Sequence, residues 1–267
     1  MFTISDSEFA RFQRFIYESA GITLGATKRA LVCGRLAKRL QVCRLKNYGE
    51  YLELLMSGES PGELQTAVDL LTTNETYFFR EPKHFQFLKQ QLRDRRPGAA
   101  AYRVWSAAGS TGEEAYSIAM VLEDCLGGSP WEVVGTDIST RVLARAQTGH
   151  YPLKRLSNFP AGYLQRYCLR GTGAQEGTML VERNLRLRVR FMQVNLNERL
   201  PRLGMFDVVF LRNVLIYFNL ETKRRVVARI LEILKPQGWL FIGHSESLID
   251  VCDSVEMVAP AIYRKVR

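Results

Sequence analysis

The chain has 267 residues, 46% of them apolar and 24% charged, and a formal net charge of +10. This length and balance fit a soluble, globular protein that buries a real core in one large domain or in a large and a small one. The basic excess points to an acidic partner, with nucleic acid, an anionic membrane and an acidic protein surface all compatible.

Five cysteines, Cys33, Cys43, Cys125, Cys168 and Cys252, form no C-x-x-C pair and are odd in number. They read as reduced thiols of a cytoplasmic protein. The opening Met-Phe-Thr-Ile-Ser-Asp lacks a basic start followed by an apolar stretch, and no run is apolar for long enough to cross a bilayer. A cytosolic location without membrane insertion is expected.

Ser5-Asp-Ser-Glu8 has capping-box spacing and precedes Phe9, Phe12, Phe15, Ile16 and Ala20 at helical intervals, with Gly21 as the stop. A second helix, from about 27 to 44, carries Lys28, Arg29, Arg35, Lys38, Arg39 and Arg44 without an acid. At about 100° per residue, Lys28, Arg35 and Arg39 share one face while Cys33, Leu36, Ala37 and Leu40 share the opposite one. A core side and a positive stripe follow, the stripe being equally compatible with a binding role and with a solvated face. Helical patterns at 48–56 and 63–71 flank the turn-rich Ser57-Gly-Glu-Ser-Pro-Gly62. Residues 1–72 are read as an N-terminal all-α domain whose basic helix faces the partner.

Residues 73–97 are read as a junction: Thr72-Thr-Asn-Glu-Thr-Tyr-Phe-Phe-Arg-Glu81, then a helix from Pro82 to about Arg96. Three consecutive aromatics beside Asn74, Thr76 and Arg80 suggest a strip packed over a ligand. From 98 to 267 strand and helix patterns alternate: strand 104–107, helix 113–126, strand 132–136, helix 140–147, strands 189–193 and 206–211, helix 221–234 and strand 239–243. Alternation predicts an α/β domain with a doubly wound, Rossmann-like parallel sheet. Runs at 255–258 and 261–265, separated by Ala259-Pro260, predict a C-terminal antiparallel hairpin. Between about 150 and 188 the alternation lapses around Arg170-Gly-Thr-Gly-Ala-Gln-Glu-Gly177, which predicts a small inserted β-subdomain.

The chain is organised around Arg103-Val-Trp-Ser-Ala-Ala-Gly-Ser-Thr-Gly-Glu-Glu-Ala-Tyr-Ser117, a strand that breaks at Gly109 and Gly112 and resumes as a helix. Such a turn brings bare amides close to a ligand. Glu113 and Glu114 stand where a pyrophosphate would approach, and negative charge there suits the helix dipole but repels phosphate. A cofactor with a positive end, such as the ammonium and sulfonium of S-adenosylmethionine, fits better than a dinucleotide. Three polar residues fall at strand ends. Asp137, closing Val133-Val-Gly-Thr-Asp, is placed to accept from both ribose hydroxyls. Asn195 would meet an adenine edge with Leu196 over the ring, and Asn213 stands where the reactive end of a cofactor would lie. Singly, each fits a capping or turn residue; together, at successive strand ends, they favour a site.

Other chemistries find little support. His84, His150 and His244 are isolated, with no zinc spacing, so no metal site is expected. His244-Ser-Glu-Ser247 lacks the hydrolase elbow, and no Walker sequence is present.

Four segments, Thr72-Thr-Asn-Glu-Thr-Tyr-Phe-Phe-Arg-Glu81, Val104-Trp-Ser-Ala-Ala-Gly-Ser-Thr-Gly-Glu-Glu114, Phe210-Leu-Arg-Asn-Val-Leu-Ile-Tyr-Phe218 and Leu234-Lys-Pro-Gln-Gly-Trp-Leu-Phe-Ile-Gly-His-Ser-Glu-Ser247, closely resemble the chemotaxis receptor methyltransferases, the CheR family. The resemblance covers nearly the whole chain. It implies a class I methyltransferase fold. It also implies transfer of a methyl group from S-adenosylmethionine to glutamate side chains on the cytoplasmic helical bundle of chemoreceptors, with S-adenosylhomocysteine as product and no nucleic-acid partner. By matched motif position, Asn74, Thr76, Arg80, Glu113, Asp137, Asn195, Leu196, Arg212 and Asn213 would contact the cofactor. Tyr217 and an arginine at the end of the helix after Pro82, Arg96 among Arg93, Arg95 and Arg96, would border the methyl-transfer site. The insert resembles the family's β-subdomain, which in some members grips a C-terminal receptor peptide. The basic helix suits an acidic receptor helix. A nucleic-acid methyltransferase would also explain the charge, but Arg212-Asn-Val-Leu-Ile-Tyr217 lacks the Asn/Asp-Pro-Pro-Tyr/Phe of base amino methylation. A non-catalytic adaptor would be expected to lose the cofactor contacts that are present here.

Overall fold

The computed structural model describes residues 2–93, 100–156 and 158–266. Helix α1 (Asp6–Ala20) starts at Ser5, whose hydroxyl accepts from the Glu8 N–H while its own N–H donates to the Glu8 carboxylate at 2.8 Å. It stops at Gly21, whose φ of 72° a glycine adopts without strain. A single 3₁₀ turn leads into α2 (Arg29–Val42), followed by α3 (Tyr48–Met56), capped by the Asn47 side chain, and α4 (Pro61–Leu71). Phe12 and Ile16 of α1, Leu36 and Leu40 of α2, Tyr51 and Leu55 of α3 and Val68 of α4 meet in one core.

The expected positive stripe on α2 is divided by its neighbours. Arg39 pairs with Glu63 of α4, Nη2 to Oε2 at 2.5 Å, and the Tyr51 hydroxyl donates to the same carboxylate at 2.6 Å. Arg35 donates to the carbonyls of Leu71 and Thr72 at 2.8 and 3.0 Å and to the Thr73 hydroxyl, holding the exit of α4. These two arginines build the domain, while Lys28, Lys38 and Arg44 stay exposed.

Helix α5 (Pro82–Arg93) leads to the second domain: β1 (Tyr102–Ala107), α6 (Glu113–Leu126), β2 (Trp131–Asp137), α7 (Thr140–Thr148), β3 (His150–Pro152), α8 (Tyr163–Tyr167), β4 (Cys168–Arg170), β5 (Thr178–Val181), α9 (Arg183–Arg186), β6 (Val189–Gln193), β7 (Phe206–Leu211), α10 (Leu220–Ile233), β8 (Leu234–Ile242), β9 (Val255–Ala259) and β10 (Ile262–Lys265). Seven strands form one sheet in the order β6-β2-β1-β7-β8-β10-β9, with β10 and β9 antiparallel. Val104, Trp105, Val133, Val134, Val208 and Val209 are fully buried, as strands covered on both faces require. The order reverses between β1 and β7, which opens a crevice at their carboxyl ends. β8 begins earlier than the apolar run at Trp239, through Pro236 and Gln237, where the register shifts opposite Phe206 and Val208.

The insert is a separate three-stranded antiparallel sheet in the order β3-β5-β4. A Cβ on Gly171 would lie 2.0 Å from the Gln175 carbonyl, so the tight turn between β4 and β5 admits only glycine.

The two domains are stitched beside the crevice. Asp69 of α4 caps α7, accepting from the Thr140 N–H at 3.1 Å, the Thr140 hydroxyl at 3.0 Å and the Arg141 N–H at 3.2 Å. Gln65 donates to the Ile138 carbonyl at 3.1 Å, and the Thr23 N–H donates to the Tyr217 carbonyl at 2.8 Å.

Candidate active site

The turn after β1 is built to expose backbone. Ala108 and Ser110 hold φ of 57° and 52°, and a Cβ on Gly109 would sit 2.5 Å from the Ser106 hydroxyl. The Gly109 N–H donates to the Thr136 carbonyl at 2.8 Å, which ties the turn to the end of β2. There the Asp137 carboxylate accepts from the Ser110 N–H at one oxygen and the Ser139 N–H at the other, both at 2.9 Å. Each oxygen keeps a further lone pair for a ligand hydroxyl. Burial pushes this carboxyl up to about 6, the amide donors of Ser139 and Ser110 opposing it.

The crevice encloses about 860 Å³ of empty space, its open mouth included. Of the residues expected at the cofactor, Asn74, Thr76, Arg80, Asp137, Asn195, Leu196, Arg212 and Asn213 line it, and so does Tyr217. Glu113 does not. It is fully buried and turned inward, accepting from the Thr111 hydroxyl at 2.6 Å, and its neighbour Glu114 lines the cavity instead. Arg96 and Arg95 lie outside the described residues, and Arg93 is exposed at the end of α5. Sequence reading missed Ala20 and Ile22, through which the all-α domain supplies part of the wall, and Ser110, whose hydroxyl donates to the Asn74 carbonyl at 2.8 Å. Asn195 is partly committed elsewhere: its amide donates to the Ser19 carbonyl of α1 at 2.7 Å and to Glu198 at 2.8 Å.

The four quoted segments converge on Arg212. Its guanidinium, 1% exposed, pairs with Glu114 at 2.9 Å and Glu81 at 3.1 Å and donates to the Arg80 carbonyl at 2.5 Å. Burial pushes the Glu114 carboxyl up while Arg212 pulls it down. Glu246 closes the node by accepting from the Asn213 N–H at 2.8 Å and the Gly243 N–H at 2.6 Å, and it fixes Asn213 at a φ of 58°. The acidic turn read from the sequence is thus neutralised internally at Glu114. Asp137 is the buried acid of the cavity whose side chain meets no cation within ion-pair distance among the described residues.

The comparisons with known proteins cover both domains. Residues 74–263 match the profile described as CheR methyltransferase, SAM binding domain, and residues 7–72 match CheR methyltransferase, all-alpha domain. The chain belongs to the CheR methyltransferase family. It is 47% identical over 247 residues to the chemotaxis protein methyltransferase of Escherichia coli K12, covering 91% of this chain and 85% of that protein. To the protein of the same name from Salmonella typhimurium it is 43% identical over 263 residues, covering 97% and 90%. To chemotaxis protein methyltransferase 2 of Pseudomonas aeruginosa it is 41% identical over 269 residues, covering 98% and 94%. This CheR chain is an S-adenosylmethionine-dependent methyltransferase of chemotaxis, and S-adenosylmethionine is its cofactor. Among the described residues no helix is long and apolar enough to cross a membrane.

Proposed function

We propose that this CheR chain methylates glutamate side chains on the cytoplasmic helical bundle of chemoreceptors, producing the methyl esters used in adaptation. The reading rests most heavily on one observation: the all-α domain both walls the cavity, through Ala20 and Ile22, and presents Lys28, Lys38 and Arg44 to solvent. An acidic helix drawn to those cations would be held by the same domain that walls the cavity lined by Tyr217. The motif resemblance supplies the nature of that helix.

The residues present suit the cofactor. Asp137 has free acceptor capacity for ribose hydroxyls, Asn195 and Leu196 offer an amide and an apolar cover for adenine, and Asn74, Thr76, Arg80 and Asn213 line the rest, with Arg212 behind them. When bound, S-adenosylmethionine supplies an electrophilic methyl group. A glutamate, with a reference value of about 4.3, is already a carboxylate at neutral pH and needs no base to act as nucleophile. Methyl transfer to that oxygen would leave S-adenosylhomocysteine as product and would need no proton taken or given by the protein. The protein's work is alignment. Tyr217, which lines the cavity, is assigned to orient the carboxylate; its backbone is anchored by Thr23. Arg96 is assigned to the methyl-transfer site on the motif match alone.

The β-subdomain offers a second contact. β4 is an edge strand with Leu169 52% exposed, the kind of edge that an extended peptide can extend by strand addition. A C-terminal receptor peptide is assigned there, and with it recruitment to membrane-borne receptor arrays. The experiment offers tritiated S-adenosylmethionine with a receptor cytoplasmic fragment or with total RNA. Label in the fragment is expected; label in RNA alone would transfer the function to a nucleic-acid substrate.

A further inference from the structure

Three metal-ligating side chains that the sequence scatters come together beside the Arg212 node: Glu81 before α5, His84 in its first turn and His244 just past β8. His84 Nδ1 lies 3.3 Å from Glu81 Oε2, and His244 Nε2 lies 3.8 Å from the same oxygen. One donor atom from each residue falls within 4.8 Å of the others. Donors held about 2.0–2.1 Å from a tetrahedral ion sit about 3.4 Å apart. The first separation meets that value, the second exceeds it by a few tenths of an ångström, and the His84–His244 separation, within 4.8 Å, closes by movement of the 47% exposed His244 side chain. The two rings stand edge to face with centroids 4.9 Å apart, as two imidazoles splayed around one ion would.

A second observation comes from His84 itself. It is wholly buried, and neither ring nitrogen has a hydrogen-bond partner among the described residues. The Pro260 carbonyl faces the ring. A carbonyl in that role orients the second nitrogen of metal-bound histidines. A neutral imidazole carries a proton on one ring nitrogen only and keeps a lone pair on the other. A buried imidazole without partners is costly unless something else takes that lone pair.

Arg212, 3.1 Å from Glu81 Oε2, is the charge that opposes a cation here. Glu114 already pairs with Arg212 at 2.9 Å, and Glu246 approaches through the amides of Asn213 and Gly243. Glu81 and Glu114 thus share one guanidinium, which leaves the equivalent of one carboxylate charge for a cation. None of the three candidate ligands lines the cofactor cavity.

We propose that Glu81, His84 and His244 bind a divalent transition-metal ion of the zinc type, with water completing a tetrahedral shell. Two imidazoles and one carboxylate select such an ion over magnesium or calcium, which prefer all-oxygen shells. The probe is cobalt(II), titrated into the full-length, metal-stripped protein and followed by visible absorption. Intense bands of four-coordinate cobalt are expected to saturate at one equivalent per chain, to be displaced by zinc and to persist in excess magnesium. His244→Ala should weaken cobalt binding at least tenfold. The five thiols are the same in both proteins, so the difference isolates the histidine site. His84→Gln should act likewise where circular dichroism shows it folded, and His244→Ala, at an exposed position, decides the matter alone if it does not. Absence of the bands in the wild type, or the same bands and affinity in His244→Ala, would overturn the site.

Discussion

At Asp137 stability and cofactor binding are expected to pull in opposite directions. Its carboxyl is 5% exposed and rises from 3.8 to about 6, burial being the main cause. An acid whose folded value exceeds its unfolded one holds the extra proton in the folded state. Its stabilising contribution is therefore present at low pH and lost as the pH rises through about 6. A rise of that size corresponds to about 3 kcal/mol in all, with about 2 kcal/mol of it falling between about pH 4.5 and 7.5. Asp137→Asn abolishes the titration but presents one oxygen where the Ser110 and Ser139 amides both donate. Urea unfolding of the cofactor-free protein should show the variant gaining about 2 kcal/mol on the wild type as the pH is raised across that range. Cofactor binding should move the other way. Ribose hydroxyls donating to a charged acceptor contribute about 1.5–3 kcal/mol, so calorimetry at neutral pH should find S-adenosylmethionine bound on the order of 10- to 100-fold more weakly by Asp137→Asn. Wild-type affinity should fall below about pH 6 while that of the variant stays flat. Equal affinities at neutral pH, or a stability difference independent of pH, would refute the assignment of Asp137 to the ribose.

Tyr217→Phe should lower single-turnover methylation by up to about 10²-fold while leaving cofactor affinity close to wild type, the signature of a lost orienting contact; a parallel loss of affinity would place Tyr217 in cofactor binding instead. Reversing Lys38 and Arg44 to Glu should slow receptor methylation at limiting receptor, and the wild-type reaction should lose rate with added salt, since exposed charges are screened beyond about 8 Å at physiological ionic strength; unchanged kinetics would make the exposed cations of α2 a solvated face only. Asp69→Ala removes a cap contributed across the domain boundary and should cost about 1–2 kcal/mol, lowering the thermal midpoint by several degrees and weakening cofactor binding through the loosened β2–α7 corner; a destabilised variant with undiminished cofactor affinity would make Asp69 purely a docking residue.

What the sequence made legible was local or periodic. Ser5 and Glu8 are three residues apart, so the α1 start could be read directly, and the buried runs of β1, β2 and β7 announce themselves through Val and Trp. Asp137, Asn213 and the glycine turn were legible because strand ends at a switch point have one geometry. Glu113 and Glu114 were not separable, since neighbours on a helix point about 100° apart and only packing decides which faces the cavity. Arg35 and Arg39 looked like a free stripe because their partners lie far along the chain, Glu63 at 24 residues and Leu71 at 36. The same distance hid the share of the cavity wall taken by Ala20 and Ile22, and the meeting of Glu81 with His244 across 163 residues.

The chemistry of the methylated product tests a carboxylate nucleophile most directly. A receptor cytoplasmic fragment labelled by this protein with tritiated S-adenosylmethionine should release its label as methanol under mild base, and peptide mass spectrometry should place the methyl groups on glutamate side chains. Base-stable label, or methyl groups on nitrogen or sulfur, would contradict a carboxylate nucleophile and with it the role given to this cavity.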